Sequence, residues 1–226
     1  MNTIKGICYI IAACKDNFTK FNLSTNESDF VIAADGGYDL LKDMSVIPDI
    51  LIGDLDSIGE VPDNIDIIKF PSEKDDTDTF LAYKLGYEKG YRTFVIFGGI
   101  GGRIDHTLAN IKTIETISDN NGRGFLIGNN TILTSICDCI EFPKGCEGYI
   151  SVFSNRTISN GVTIKGLKYT ISNTDFSSST TLGTSNEFIG KRAEISVTNG
   201  NLLITWNQDT DSFIKNINTY LNKKEL

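Results

Sequence analysis

Phe94-Val95-Ile96-Phe97-Gly98-Gly99-Ile100-Gly101-Gly102-Arg103-Ile104-Asp105-His106 joins an apolar run to a glycine cluster that ends in charge. Aromatic and β-branched residues in an unbroken run suit a buried strand. The residues that follow, Thr107–Ser118, carry Leu108, Ile111, Ile114 and Ile117 near the helical period. The segment reads as strand, glycine turn, helix. The same punctuation recurs upstream. Phe30–Ala34 runs into Asp35-Gly36-Gly37, and Ile50–Ile52 runs into Gly53-Asp54-Leu55-Asp56-Ser57. Ile65–Phe70 runs into Pro71-Ser72-Glu73-Lys74-Asp75-Asp76-Thr77-Asp78. If these runs are parallel strands, all the clusters gather at one sheet edge, where open α/β sheets bind ligands. Carboxylates collected there repel one another unless a cation joins them. The pattern therefore asks for Mg²⁺ and phosphate.

Between the runs, Tyr38–Met44 reads as a short helix with Leu40, Leu41 and Met44 on one side. Thr79–Glu88 reads as another, burying Phe80, Leu81, Leu85 and Tyr87. Alternation of this kind means βαβ units and a mostly parallel sheet. From Thr131 onward the chain is rich in Ser, Thr, Asn and Gly. Tyr149–Phe153, Val162–Ile164, Tyr169–Ile171, Arg192–Val197 and Leu202–Trp206 are short, alternating and separated by glycines. They predict a small antiparallel sandwich. The expected organisation is an α/β domain over 1–128 followed by an all-β sandwich over 129–226. The tail Asp211–Leu226 reads as one helix through Phe213, Ile217 and Leu221.

The 226 residues are 40% hydrophobic and 22% charged, the range of a soluble globular chain. The net charge of −8 argues against a nucleic-acid binder, which needs a basic face. No run approaches the roughly 20 apolar residues of a membrane span. The apolar stretch Ile7–Cys14 reads as a buried first strand rather than a signal peptide. It lacks a strongly basic leader, and Lys15-Asp16-Asn17 is a poor cleavage site. The 5 cysteines include no Cys-x-x-Cys pair. Reduced structural thiols and a cytoplasmic location are expected.

Four features carry chemistry. In an extended segment Asp54 and Asp56 project to the same side and can share a Mg²⁺, although an Asp-rich turn gives the same letters. Lys74-Asp75-Asp76-Thr77-Asp78 precedes a helix. Capping needs one or two of these residues, so Asp78 is read as a third metal ligand and Lys74 as a phosphate or loop-ordering residue. Gly98, Gly99, Gly101 and Gly102 let backbone N–H groups face an anion, and Arg103 can grip phosphate bidentately. Asp105 either caps the following helix or shapes the site. His106, the single His, is read as a structural or ligand-edge residue. Asp35 is expected to face the same crevice. The acidic edge alone also suits a Mg²⁺-dependent phosphohydrolase, or a nucleotide or vitamin sensor without turnover.

In order and spacing, several segments resemble the thiamine pyrophosphokinase family. They are Ala34-Asp35-Gly36-Gly37, Pro48-Asp49 with Gly53-Asp54-Leu55-Asp56-Ser57, Lys74-Asp75-x-Thr77-Asp78, and Gly98-Gly99-x-Gly101-Gly102-Arg103-x-Asp105-His106-x-x-Ala109-Asn110. Gly166-Leu167-Lys168-Tyr169 and Gly183-Thr184-Ser185-Asn186-Glu187 resemble its later motifs. The resemblance runs from about Ile32 to Glu187. Many bacterial members have a Gly-rich turn after the first strand, where this chain has Ala13-Cys14-Lys15-Asp16-Asn17.

The resemblance implies transfer of diphosphate from ATP to thiamine, a β-sandwich second domain and a homodimer. Thiamine would lie between the first domain of one subunit and the second domain of the other. Asp54, Asp56 and Asp78 would hold Mg²⁺, and Arg103 would act on the phosphates. Asp35, Gly36, Lys74, Asp75, Thr77, Gly99, Gly101, Gly102, Asp105 and His106 would surround the nucleotide. Thr184, Ser185 and Asn186 would read the aminopyrimidine, with Asp54 also facing the substrate. Trp206 stacks on the thiazolium cation or belongs to the sandwich core.

Overall fold

Side-chain alternation divides the central strands of the first half between two cores. Residues 6–14, 22–56, 64–71 and 73–221 are described by a computed structural model. Lys15-Asp16-Asn17, Ser57, Ser72 and the last residues of the expected tail helix, 222–226, lie outside them. The parallel strands are β1 (Ile7–Ile11), β2 (Phe30–Ala34), β3 (Ile50–Gly53), β4 (Asp66–Lys69), β5 (Thr93–Phe97) and β6 (Arg123–Gly128). Tyr9, Ile11, Val31, Ala33, Val95 and Phe97 face one core, shared with Leu40 and Leu41 of helix α1 (Gly37–Asp43). Cys8, Ile10, Ile32, Ala34, Phe94 and Ile96 face the other, beneath α2 (Asp78–Glu88) and α3 (Ile104–Asp119).

The second half supplies β7 (Thr131–Ile136), β8 (Cys139–Phe142), β9 (Tyr149–Ser154), β10 (Ile158–Lys165), β11 (Ile171–Ser177), β12 (Gly183–Glu187), β13 (Ala193–Ser196) and β14 (Leu202–Asn207). One sheet runs β12-β9-β14-β7-β6-β5-β1-β2-β3-β4, and a separate four-stranded sheet runs β11-β10-β13-β8. Pairing changes from parallel to antiparallel between β6 and β7, and the large sheet continues through that change. The fold class read from the sequence is the one observed: a parallel-rich α/β half followed by antiparallel strands with a second sheet.

Four local expectations are corrected. In α2 the fully buried positions are Thr79, Ala82, Tyr83 and Gly86, while Phe80, Leu81, Leu85 and Tyr87 are half-buried around them. Small residues let the helix sit close to the sheet: a Cβ at Gly86 would lie 2.8 Å from Cys8 Sγ. Leu108 is 56% exposed although it shares the period of Ile114 and Ile117, which reach the core beneath the sheet where Leu108 does not. Tyr169, expected to open a strand, precedes β11 and is exposed, whereas Gly183–Glu187, which is not among the expected strands, pairs with β9 across a register shift. The tail is not one helix. Helix α4 (Thr210–Lys215) ends at Asn216, φ −112°, and a short 3₁₀ turn over Ile217–Thr219 follows. The bend brings Phe213, Ile217 and Tyr220 together into the core.

Candidate active site

The strand order places β1 between β2 and β5, so the chain reverses its direction of progress across the sheet between β1 and β5. A crevice opens at such a reversal, above the carboxyl ends of the strands. Here it is a cleft of about 830 Å³. Ala12, Ala13 and Cys14 line it from beyond β1, Asp35 from beyond β2, Asp54 from beyond β3, and Gly98, Gly99, Gly101, Gly102 and Arg103 from beyond β5. Lys74 to Thr79 close a further side.

The acidic wall is built by backbone turns. Asp35 has φ 50°, and its N–H donates to Ile52 O at 2.6 Å, which ties the end of β2 to β3. A Cβ at Gly53 would lie 3.0 Å from Asp35 Cβ, so a side chain there would crowd Asp35. Leu55 has φ 68°, so Asp54 and Asp56 do not share a face of an extended strand, as the sequence suggested. A turn brings them together instead, with the Asp56 N–H donating to Asp54 Oδ1 at 3.3 Å. Carboxylate oxygens of Asp35, Asp54 and Asp56 lie within 4.8 Å of one another. The Asp56 N–H holds the Asp54 carboxyl below its ordinary value, helped by the Asp54–Asp56 side-chain contact and the nearby Lys74 charge. Asp56 is pushed the other way by its contact with the Asp54 carboxylate and by the charges of Asp54, Asp35 and Asp78. Hard oxygen donors that repel one another at this spacing fit a divalent cation.

Asp78 is placed differently. Its Oδ1 accepts from Lys74 Nζ at 2.7 Å across the loop that leads into α2, while both residues line the cleft. Thr77 caps α2, its hydroxyl accepting from Phe80 N–H at 3.2 Å, and Asp76 pairs with Lys84 at 2.6 Å. Asp75 stays exposed at the rim. Asp35 thus joins the carboxylate cluster that the sequence assigned to Asp54, Asp56 and Asp78. Its signal was present: it is the first residue beyond a central strand.

The glycine loop carries the opposite chemistry. Gly98, Gly101 and Gly102 have φ of 64°, 109° and 57°. Gly101 N–H donates to Thr107 Oγ1 at 3.2 Å, and Asn110 Nδ2 donates to Gly99 O at 2.9 Å. Arg103 forks onto Asp105, with Nε at 3.2 Å from Oδ1 and Nη2 at 2.5 Å from Oδ2. The pairing lowers the Asp105 carboxyl and raises the Arg103 guanidinium from their ordinary values. Asp105 is therefore not the helix N-cap; Arg103 holds that position, with no side-chain cap bond. His106 is exposed at the rim and lines the cleft. Gly36 is buried at the N-cap of α1 rather than on the wall.

The second-half residues fall outside this cleft. Thr184 and Ser185 are exposed on β12, and the Ser185 N–H donates to Ser151 Oγ at 3.0 Å. Asn186 is buried, with both amide ends committed: Oδ1 accepts from Tyr169 N–H at 3.0 Å and Nδ2 donates to Tyr169 O at 2.7 Å. Trp206 is 3% exposed and packs edge-on to Phe142 and Phe213, with Nε1 donating to Gln208 Oε1 at 3.0 Å. Of its two expected roles, the packing is that of a core residue.

A family model described as the catalytic domain of thiamin pyrophosphokinase matches residues 21–126. A second, described as its vitamin B1 binding domain, matches residues 139–202. The thiamine pyrophosphokinase of Bacillus subtilis (strain 168) is 31% identical over 200 residues, spanning 82% of this chain and 90% of that protein. Thiamin pyrophosphokinase 1 of Caenorhabditis elegans is 26% identical over 180 residues, 72% of each chain. The crystal structure of the Bacillus subtilis enzyme superposes with a TM-score of 0.80 at 28% identity, covering 90% of this chain and 100% of that one. With cleft, acidic wall and glycine loop in one place, and with these matches along both halves, the chain belongs to the thiamin pyrophosphokinase family.

Proposed function

We propose that this enzyme transfers the diphosphate of ATP to the hydroxyl of thiamine, giving thiamine diphosphate and AMP, and that the β1–β5 cleft is where it does so. The observation that carries the reading is the convergence of Asp35, Asp54, Lys74, Asp78 and Arg103 on one cleft in a chain of this family. Diphosphoryl transfer depends on alignment and charge neutralisation, and the cleft offers groups for both. Asp54 and Asp56 would hold Mg²⁺, with Asp35 beside them and Asp78 close by through Lys74. The bound cation would neutralise charge on the polyphosphate oxygens. Arg103, released from Asp105, would grip a phosphate bidentately, and Lys74 would add a second positive charge. Asp54 or Asp78 would take the proton of the attacking hydroxyl. Asp75, Thr77, Gly99, Gly101, Gly102 and His106 would line the nucleotide.

Thr184 and Ser185 lie away from this cleft, which supports a composite site completed by a second copy of the chain. A homodimer would also cover Tyr149, Tyr169 and Leu182, each more than half exposed. A cytoplasmic location suits a chain whose five cysteines include no Cys-x-x-Cys pair.

The test is a coupled assay of AMP release. AMP should form from ATP only when thiamine and Mg²⁺ are both present, and Asp56→Ala should abolish it while leaving the circular dichroism unchanged. AMP or ADP formed at full rate without thiamine would instead indicate a phosphohydrolase.

A further inference from the structure

The carbonyl oxygens of the glycine loop are tied back by three separate donors. Gly98 O accepts from the Cys14 N–H at 3.1 Å, Gly99 O from Asn110 Nδ2 at 2.9 Å and Gly101 O from Thr107 Oγ1 at 3.4 Å. In a trans peptide, a carbonyl and the N–H of the next residue point in opposite directions. Holding the Gly99 carbonyl therefore aims the Ile100 N–H, and holding the Gly101 carbonyl aims the Gly102 N–H. Left untied, glycine peptides rotate through many conformations. Asn110 is 4% exposed, on α3 behind the loop, and lines the same cleft. A Cβ at Gly99 would fall 2.4 Å from Leu126 Cδ1 and 3.1 Å from Asn110 Nδ2. Loop and amide are thus packed in contact as well as hydrogen-bonded. The hydroxyl one turn further along the helix does nothing comparable: Thr113 Oγ1 bonds back to Ala109 O at 3.0 Å within α3.

We propose that Asn110 is a positioning residue for the polyphosphate, fixing the direction of the N–H donors in the 98–102 loop before the nucleotide arrives, with Thr107 doing the same at the loop's far end. The assignment rests on reading the cleft as the ATP site. Donors held in advance cost no reorganisation when charge develops, which is how backbone amides become effective in transfer reactions. An amide serves here because the Gly99 carbonyl needs a donor and a carboxylate at position 110 would repel it.

Asn110→Ala is to be compared with the unaltered enzyme in two measurements. One is steady-state kinetics with MgATP and thiamine varied separately. The other is calorimetric binding of magnesium tripolyphosphate, which needs no turnover. We expect the KM for MgATP and the Kd for tripolyphosphate each to rise about tenfold, the effect of one or two misdirected hydrogen bonds. The KM for thiamine should stay within about twofold. Thr107→Val should shift the same two constants in the same direction. Thr113→Val, on the same helix and as buried as Asn110, should move neither. Unchanged tripolyphosphate binding in a folded Asn110→Ala overturns the proposal, as does an equal loss in Thr113→Val. Should Asn110→Ala fail to fold, Thr107→Val decides alone, and unchanged binding there overturns it. Absence of tripolyphosphate binding by the unaltered protein removes the reading of the cleft and this assignment with it.

Discussion

Lys74 Nζ lies 2.7 Å from Asp78 Oδ1, with both side chains mostly shielded and both on the cleft wall. The pair keeps one positive charge among carboxylates that already repel one another, and Lys74 helps hold Asp54 ionised. Lys74→Met should therefore lower kcat/KM for ATP by about 10²-fold, the scale seen when a transition-state charge partner is lost. Lys74→Arg should recover part of it. Steady-state kinetics with ATP varied checks both.

Asp56 titrates above its ordinary value because of its contact with the Asp54 carboxylate and the surrounding negative charge. A raised value in the fold means that the stability tied to protonated Asp56 is complete below the unfolded value, about 3.9. It is lost as pH rises through the folded one. Without metal, the protein should lose melting temperature over that window, and Asp56→Asn should flatten the loss. Added Mg²⁺ needs ionised carboxylates, so its stabilisation should grow over the same window. Calorimetric melting with and without Mg²⁺ at a series of pH values measures both slopes. A Mg²⁺ effect independent of pH would sink the carboxylate assignment.

Trp206 packs against Phe142, Phe213 and Tyr220 under the second half of the large sheet. Trp206→Ala should cost roughly 3–5 kcal/mol in chemical denaturation, the range for emptying a large aromatic site. Trp206→Phe should keep the KM for thiamine close to that of the unaltered enzyme. A large KM increase in a stable Trp206→Phe would return the residue to the substrate.

Arg156, between β9 and β10, bonds to the buried Glu115 and, at 2.5 Å, to Asp119, so the second half is anchored to the helix behind the glycine loop. Asn201 adds a bond to Asp119 at 3.3 Å. Lys112 Nζ also pairs with Glu115, at 2.8 Å. Arg156→Met should then destabilise by about 1–3 kcal/mol, the cost of leaving a buried carboxylate under-partnered. A denaturant titration reads it, and Arg156→Lys should fall between.

Much of the fold is legible in the letters because parallel strands are buried on both faces and read as unbroken apolar runs. Phe30–Ala34 and Phe94–Phe97 are examples, and both are strands within a residue of the expected bounds. The tail and β12 were less legible for a physical reason. Gly183-Thr184-Ser185-Asn186-Glu187 has turn composition, and only a partner strand makes it a strand. Ile217 and Leu221 continue a helical period that Asn216 interrupts once Tyr220 finds the core.

By itself the sequence determined that four acidic or glycine-rich segments would meet at one sheet edge, since strand direction and βαβ connection leave no other place for them. It also determined the residue types available there: carboxylates, glycine N–H groups, Arg103 and Lys74. Only the tertiary structure decided which of them touch. Left-handed turns at Asp35 and Leu55 gather Asp35, Asp54 and Asp56, while the loop before α2 folds Lys74 onto Asp78. Asn186 is spent on Tyr169, and Trp206 on the core. Composition states which groups a segment carries; backbone dihedrals and long-range packing state where they point.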